Sequence, residues 1–205
     1  MPQPATETAI GDEDLLRADL YDFLASLLAR PPDADSLARA AALGGDATPL
    51  GEAVGALASV AGSTTPEAAK REFEALFIGL GRGELMPYAS FYMTGFLNEK
   101  PLATLRSDMA RLGAARAETV HEPEDNVASL CELMAGLIRG RFAAAADLAE
   151  QRAFFGRHLG PWAKHFFSDL EAAKNSVLYA PVGAIGRTFM EIEAEAYRLA
   201  GDARP

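Results

Sequence analysis

The chain has 205 residues, of which 49% are hydrophobic, so it can bury one sizeable core but is slightly short for two. Its 19 Lys and Arg stand against 29 Asp and Glu, which leaves a formal net charge of −10. No stretch concentrates Lys or Arg, so the sequence excludes an extended phosphate-binding surface and predicts no nucleic-acid partner. An acidic surface of this kind either serves solubility alone or attracts a basic peptide.

Helical periodicity dominates the chain. Ala and Leu are abundant, β-branched residues are sparse and no sustained alternation predicts strands. The fold class is therefore all-α, a single-domain helical bundle over residues 12–205 behind a disordered tail over residues 1–11. Predicted helices follow at 12 or 14 to 30, 37–43, 50–60, 66–78, 102–112, 122–139, around 154–155, from 161 and at 181–199. Their apolar faces predict a core that includes Leu16, Leu20, Leu24, Phe73, Leu76, Phe77, Leu130, Met134, Leu137, Trp162, Phe166 and Phe189.

Targeting and redox features are few. Cys131 is the only cysteine and lies on an apolar helical stripe, so no intramolecular disulfide forms and a buried, unreactive thiol is predicted. The first eight residues have neither the basic nor the apolar region of a signal peptide, and no run of about eighteen apolar residues occurs. We therefore expect a cytoplasmic protein without stable membrane insertion.

The segment from Gly79 to Gly95 is the least regular part of the chain, which makes it a candidate functional loop. Its first five residues alternate glycine with other residues but lack the preceding strand of a dinucleotide site and the Gly-Lys-Ser/Thr ending of a P-loop. We interpret these glycines as a helix end followed by a turn.

Catalytic and metal-binding patterns are not found in the sequence. His121, His158 and His165 are too few and lack companion ligands, so neither a metal nor another cofactor is expected. No Gly-x-Ser-x-Gly elbow occurs, and Cys131 is not in an exposed basic setting. The sequence therefore predicts a protein that is not an enzyme.

Three carboxylates precede the apolar stripe that begins at Val127, namely Glu122, Glu124 and Asp125. The pattern predicts that they lie on the first turn of an amphipathic helix, with Pro123 at its first position. Two interpretations stay open. The acids either stabilise the helix N-terminus through its dipole, or they bind the guanidinium groups of a cationic partner.

Four motifs carry a resemblance to a known family. They are Phe-Glu-Ala-Leu-Phe-Ile-Gly at 73–79, the segment 87–92, Glu-Pro-Glu-Asp-Asn-Val at 122–127 and the segment 155–162. In this order they resemble the TorD/DmsD/NarJ family of cytoplasmic chaperones dedicated to molybdoenzymes, whose members are all-helical. The resemblance covers most of the chain beyond Glu72. Where the family motif usually carries His, this sequence has Asn126, which cannot take up a positive charge near neutral pH.

The resemblance implies a chaperone that binds the twin-arginine signal peptide and the apoprotein of a molybdenum-dependent oxidoreductase. Such a chaperone assists cofactor insertion and delays export until the client is folded. A twin-arginine peptide offers two guanidinium groups and an apolar stretch, which carboxylates and an aromatic groove can receive. The candidate signal-peptide-binding residues are Glu122, Pro123, Glu124, Asp125, Asn126, Tyr88, Ser90, Tyr92 and Phe77.

Two further questions stay open in the sequence. The alternative function is an all-helical small-molecule sensor or regulator that uses the same aromatic region as its pocket. Such regulators usually have a helix-turn-helix with a basic recognition helix, which is not found here. The hinge at 79–95 is compatible with a monomer and with a dimer that exchanges helices.

Overall fold

The computed structural model describes residues 10–79, 81–116 and 122–202. In these ranges ten α-helices and one π-helical turn form the regular structure, without strands, which confirms the predicted all-α helical bundle. Most of the tail predicted over residues 1–11, and His121, lie outside the described residues.

The helices follow the chain with short connections. They are α1 (Asp12–Ala29), α2 (Ala34–Ala41), α3 (Pro49–Ala61), α4 (Pro66–Phe73), α5 (Ala89–Thr94), α6 (Lys100–Leu112), α7 (Val127–Arg139), α8 (Leu148–His158), α9 (Ala163–Ala172) and α10 (Tyr179–Asp202). The π-helical turn Glu74–Ile78 continues α4 directly. Side chains that accept a backbone N–H cap five helix starts, as Ser, Thr, Asp and Asn commonly do. The capping residues are Asp33, Thr48, Thr65, Asn126 and Asp147.

Helix α7 is the central element of the core. Ten of its thirteen residues are buried, and it packs against α1 and α8. Helix α10 packs against α9 and α3, and α2 covers α3. Cys131 of α7 is fully buried, and this burial raises the pKa of its thiol to about 12, as expected of an unreactive cysteine.

None of the described helices is both long and apolar enough to cross a bilayer.

The core confirms nine of the twelve burial predictions, and Leu16 of α1 departs from its prediction most. Leu16 is 69% exposed, whereas Ala18, Tyr21 and Leu24 are fully buried. The predicted and observed faces share Leu24 and differ on the N-terminal side of it, where Ala18 and Tyr21 are buried in place of Leu16. The difference arises because Arg17 points inward, where other helices satisfy its charge.

A buried ionic network holds Arg17. Glu193 of α10 accepts a hydrogen bond of 2.7 Å from Arg17 Nε and one of 2.9 Å from the Tyr21 hydroxyl. Arg17 also donates to Gln151 of α8, at 3.1 Å, and to the Tyr197 hydroxyl. Burial alone lowers the pKa of Arg17, but the hydrogen bond and the charge of Glu193 outweigh it and the pKa is raised. The network therefore links α1, α8 and α10 through one ion pair and the hydrogen bonds around it.

Predicted and observed helix boundaries differ most near the middle and the end. A short helix, α5, lies within the segment predicted to be irregular. Helix α9 begins at Ala163, two residues after the predicted start, and α10 begins at Tyr179, two residues before it. Leu20 and Phe77, which were predicted to be buried, are half-buried.

Replacing Glu193 with Gln should lower the free energy of unfolding by on the order of 3 kcal/mol, because it removes the buried counter-ion of Arg17 and leaves only the more exposed Asp14 to pair with the guanidinium group. Glu195→Gln is the matched control. It lies two residues along the same helix and breaks only an exposed pair with Arg198, so the expected change is within about 0.5 kcal/mol. Chemical denaturation of both variants tests this, and equal stabilities would contradict it.

Candidate functional site

Two of the motifs found in the sequence meet in space. The segment 87–90 runs alongside the segment 125–127, with an antiparallel bridge between Tyr88 and Asn126. The Ala89 N–H donates to the Asp125 carbonyl at 2.9 Å, and the Val127 N–H donates to the Pro87 carbonyl at 2.8 Å. These bonds fix the direction of the 87–90 segment relative to the start of α7.

Asp125 joins the two segments through its side chain. Its carboxylate is 1% exposed and accepts hydrogen bonds from the Ser90 backbone N–H, at 2.8 Å, and from the Ser90 hydroxyl. Ser90 is itself fully buried. Both residues therefore form a closed hydrogen-bonded pair beneath the surface, and neither carries a polar group on the surface of the site.

The predicted start of the central helix was wrong. Helix α7 begins at Val127, and Asn126 is its N-cap, with Oδ1 accepting from the Ala128 N–H at 2.9 Å. Pro123 is therefore not the first helical residue; its carbonyl accepts from the Asn126 N–H at 3.1 Å and closes a turn. The backbone at Asn126 is extended because it pairs with Tyr88, so the helix cannot begin earlier.

Glu124 already has cationic partners within the chain. Its carboxylate lies 2.8 Å from Arg106 Nη2 and 3.7 Å from Arg116 Nε. Burial raises the pKa of Glu124, but the hydrogen bonds and charge of Arg106 outweigh burial and the net pKa is lowered. Arg106 lies on α6 and Arg116 follows that helix, and the fold brings both side chains to the carboxylate of Glu124.

A groove of about 610 Å³ lies beside the junction of the two segments. Its walls come from the C-terminal half of α1 and the turn after it, the π-helical turn with Phe73, the Pro87–Tyr88 segment, and the first turns of α7. Four candidate residues line it: Phe77, Tyr88, Glu122 and Asn126. The other five do not line it: Pro123, Glu124, Asp125, Ser90 and Tyr92.

The groove is lined by apolar groups together with three carboxylates, of Asp22, Glu122 and Glu132, and one arginine, Arg30. Ile78, which is 58% exposed, and half-buried Phe77 are among its apolar groups. Glu122 is exposed and accepts a hydrogen bond from the Tyr88 hydroxyl. Burial raises the pKa of Tyr88, and the bond to Glu122 adds to it, so the phenol stays a neutral donor. The Glu122 carboxylate can therefore accept further donors from a ligand in the groove.

The aromatic wall of the groove rests on the first residue of α10. The rings of Phe77 and Phe73 lie 5.5 Å and 6.1 Å from the ring of Tyr179, whose hydroxyl donates to the Leu27 carbonyl at 2.8 Å. Tyr92 belongs to a different cluster. It stacks at 5.3 Å on Trp162, and its hydroxyl donates to Asp169 at 2.8 Å.

Sequence reasoning missed the contribution of α1 and of Glu132 to the groove. Ala25, Ser26 and Ala29 line it from α1, but small residues on a helix carry no signal of a binding surface. Glu132 is separated from the acidic motif by nearly two helical turns, so only the orientation of α7 reveals that it faces the same groove.

No group of three or more His, Cys, Asp or Glu side chains within the described ranges is arranged to hold a metal ion.

A family model and curated relatives match this chain, and a solved structure shares its fold. A family model described as nitrate reductase delta subunit matches residues 44–168. Chaperone protein TorD from three strains of Vibrio cholerae serotype O1 is 27% identical over 127 residues, and the alignment covers 58% of this chain and 58% of that protein. The match thus spans less than two thirds of the relative's length. A crystal structure described as that of a redox enzyme maturation protein from Archaeoglobus fulgidus shares the fold, with a TM-score of 0.55 and 23% identity over 93% of this chain and 97% of that one.

Replacing Asp125 with Asn should lower the free energy of unfolding by about 1–3 kcal/mol, because one carboxylate oxygen, Oδ2, accepts both Ser90 donors, and the amide puts a buried NH2 group in the site that needs an acceptor of its own. Glu122→Gln, in the same motif but exposed, should stay within about 0.5 kcal/mol of wild type. Thermal and denaturant unfolding measure both. A fully stable Asp125→Asn protein that fails to bind a cationic peptide would instead make Asp125 a direct ligand.

Proposed function

The chain belongs to the nitrate reductase delta subunit family, the TorD/NarJ family that its motifs resemble, and from this premise we propose that it is a chaperone for redox enzyme maturation. It binds the precursor of a molybdenum-dependent oxidoreductase in the cytoplasm, holds the twin-arginine signal segment and keeps the apoprotein ready for cofactor insertion. The mechanism is binding and release, so it requires no catalytic group.

One observation carries this proposal: apolar side chains and exposed carboxylates line the same groove. A twin-arginine segment presents two guanidinium groups followed by apolar side chains, and each part has a counterpart in the groove. The groove has a volume of about 610 Å³. The net charge of −10 also favours the approach of a basic segment.

The candidate residues divide into two roles under this proposal. Glu122 accepts a guanidinium group, Tyr88 orients that carboxylate, and Phe77 contacts the apolar part of the segment. Asp125 and Ser90 act beneath the surface, where their hydrogen bonds hold Tyr88 and the start of α7 in place.

The remaining candidates also contribute indirectly. Asn126 caps α7 at the edge of the groove, and Pro123 closes the turn that precedes the cap. Glu124 is neutralised by Arg106 and Arg116 and therefore stabilises the loop that carries Glu122. Tyr92 packs on Trp162 and does not line the groove. No specific observation favours the alternative of a small-molecule sensor.

A synthetic peptide with two adjacent arginines and an apolar stretch should bind the purified protein, and Glu122→Gln should weaken its binding by about three- to tenfold, the range for a partly exposed charge-assisted bond. Binding should also weaken as salt rises, because exposed charge pairs are screened. Isothermal titration calorimetry measures both effects. Glu52→Gln, an exposed acid of α3 outside the groove, is the control for net charge. The proposal fails if the wild type does not bind the peptide, or binds it equally well when both arginines are glutamines.

Replacing Ile78 with Ser should weaken binding of the same peptide by about fivefold, because Ile78 is 58% exposed in the free protein and becomes covered only when the groove is filled. Ile192→Ser is the matched control, since Ile192 is 48% exposed on α10 and does not line the groove. Calorimetry of the two variants should separate them. Equal affinities would show that the peptide does not cover this wall.

A further inference from the structure

Glu132 lines the groove from α7 and is not part of any motif discussed above. Its side chain is exposed, and no described residue forms an ion pair or a hydrogen bond with its carboxylate. Helix α7 is the most extensively buried helix of the core, so the backbone that carries Glu132 is rigid. A charged group on a rigid wall is well suited to selecting the position of an opposite charge in a ligand.

The other acids of the groove are differently engaged. Asp22 of α1 lies 3.4 Å from Arg139 Nε and accepts hydrogen bonds from both terminal nitrogens of Arg141, at 2.9 Å and 2.5 Å. Asp22 is therefore neutralised within the chain. Arg141 also feels the charge of Glu132, but its hydrogen bonds are directed to Asp22. Among the three carboxylates that line the groove, Glu122 and Glu132 remain available to a ligand.

The two available carboxylates lie at different levels of the groove. Glu132 is six residues beyond the Asn126 cap, which corresponds to a rise of about 9 Å along α7. Glu122 lies before the cap and is bonded to Tyr88 of the 87–90 segment. Because a guanidinium group binds a carboxylate through a fork of neighbouring N–H groups, an acid before the cap and an acid about 9 Å beyond it along α7 are each suited to a guanidinium group of their own.

We propose that Glu132 is the second specificity-determining carboxylate of the groove and that it pairs with a different cationic side chain of the bound segment from the one that Glu122 receives. This inference rests on the proposed function, since it assumes that the groove binds a segment with two arginines. Under this assignment the groove selects a pair of cations over a single one, because each arginine has its own acid.

A double-mutant cycle tests this assignment. Wild type, Glu122→Gln and Glu132→Gln are each titrated with three peptides: one with both arginines, and two in which one arginine or the other is glutamine. For wild type, each glutamine replacement should lower affinity about three- to tenfold. In the Glu132→Gln protein, replacing the arginine that pairs with Glu132 should change the affinity little. In the Glu122→Gln protein, replacing the other arginine should change the affinity little.

The outcomes separate the inference from the proposed function. If wild type does not bind the two-arginine peptide, the proposed function fails and the inference fails with it. If wild type binds but Glu132→Gln shows the full effect of both replacements, the inference is overturned while the proposed function stands. Coupling of both acids to the same arginine also overturns it. Glu52→Gln, with the same change in net charge, should couple to neither arginine.

Discussion

The buried pairing of the Asp125 carboxylate with Ser90 is the constraint on which the rest of the site depends. Because Asp125 is only 1% exposed, its side-chain oxygens have to be hydrogen-bonded within the chain, so the 87–90 segment must lie where Ser90 can supply both donors. That position aligns Tyr88 with Asn126, keeps the backbone extended up to the cap and delays the start of α7 to Val127. The same alignment directs Tyr88 towards Glu122 at the edge of the groove.

The acidic residues of this chain fall into two physical classes. Asp125, Glu124 and Glu193 have little exposure and are matched by internal donors or arginines, so their charges contribute to the geometry of the fold. Glu122 and Glu132 are exposed and lie on the walls of one groove, so their charges remain available for binding. Sequence proximity does not distinguish the classes: Glu122 and Glu124 are two residues apart, yet only Glu124 faces Arg106.

The groove also depends on the C-terminal helix. Glu72, next to Phe73 at the end of α4, accepts the backbone N–H groups of Val177 and Tyr179, both at 2.8 Å, and so holds the start of α10. Tyr179 in turn supports the rings of Phe73 and Phe77. The aromatic wall is thus fixed by contacts between residues about one hundred positions apart in sequence, and a segment bound there rests on both halves of the chain.

The sequence by itself determined the all-helical class, the main helices and most of the core, because local periodicity and propensity act over a few turns. It also identified the two motifs that meet at the site. Only the tertiary structure decided that Asp125 is internal, that Glu124 is neutralised by Arg106 and that Glu132 shares a groove with Glu122. It likewise turned Arg17 inward and left Leu16 exposed. These outcomes have one physical reason. Whether a charged or apolar side chain is buried or exposed depends on its partners from distant helices, and the local sequence pattern does not specify those partners.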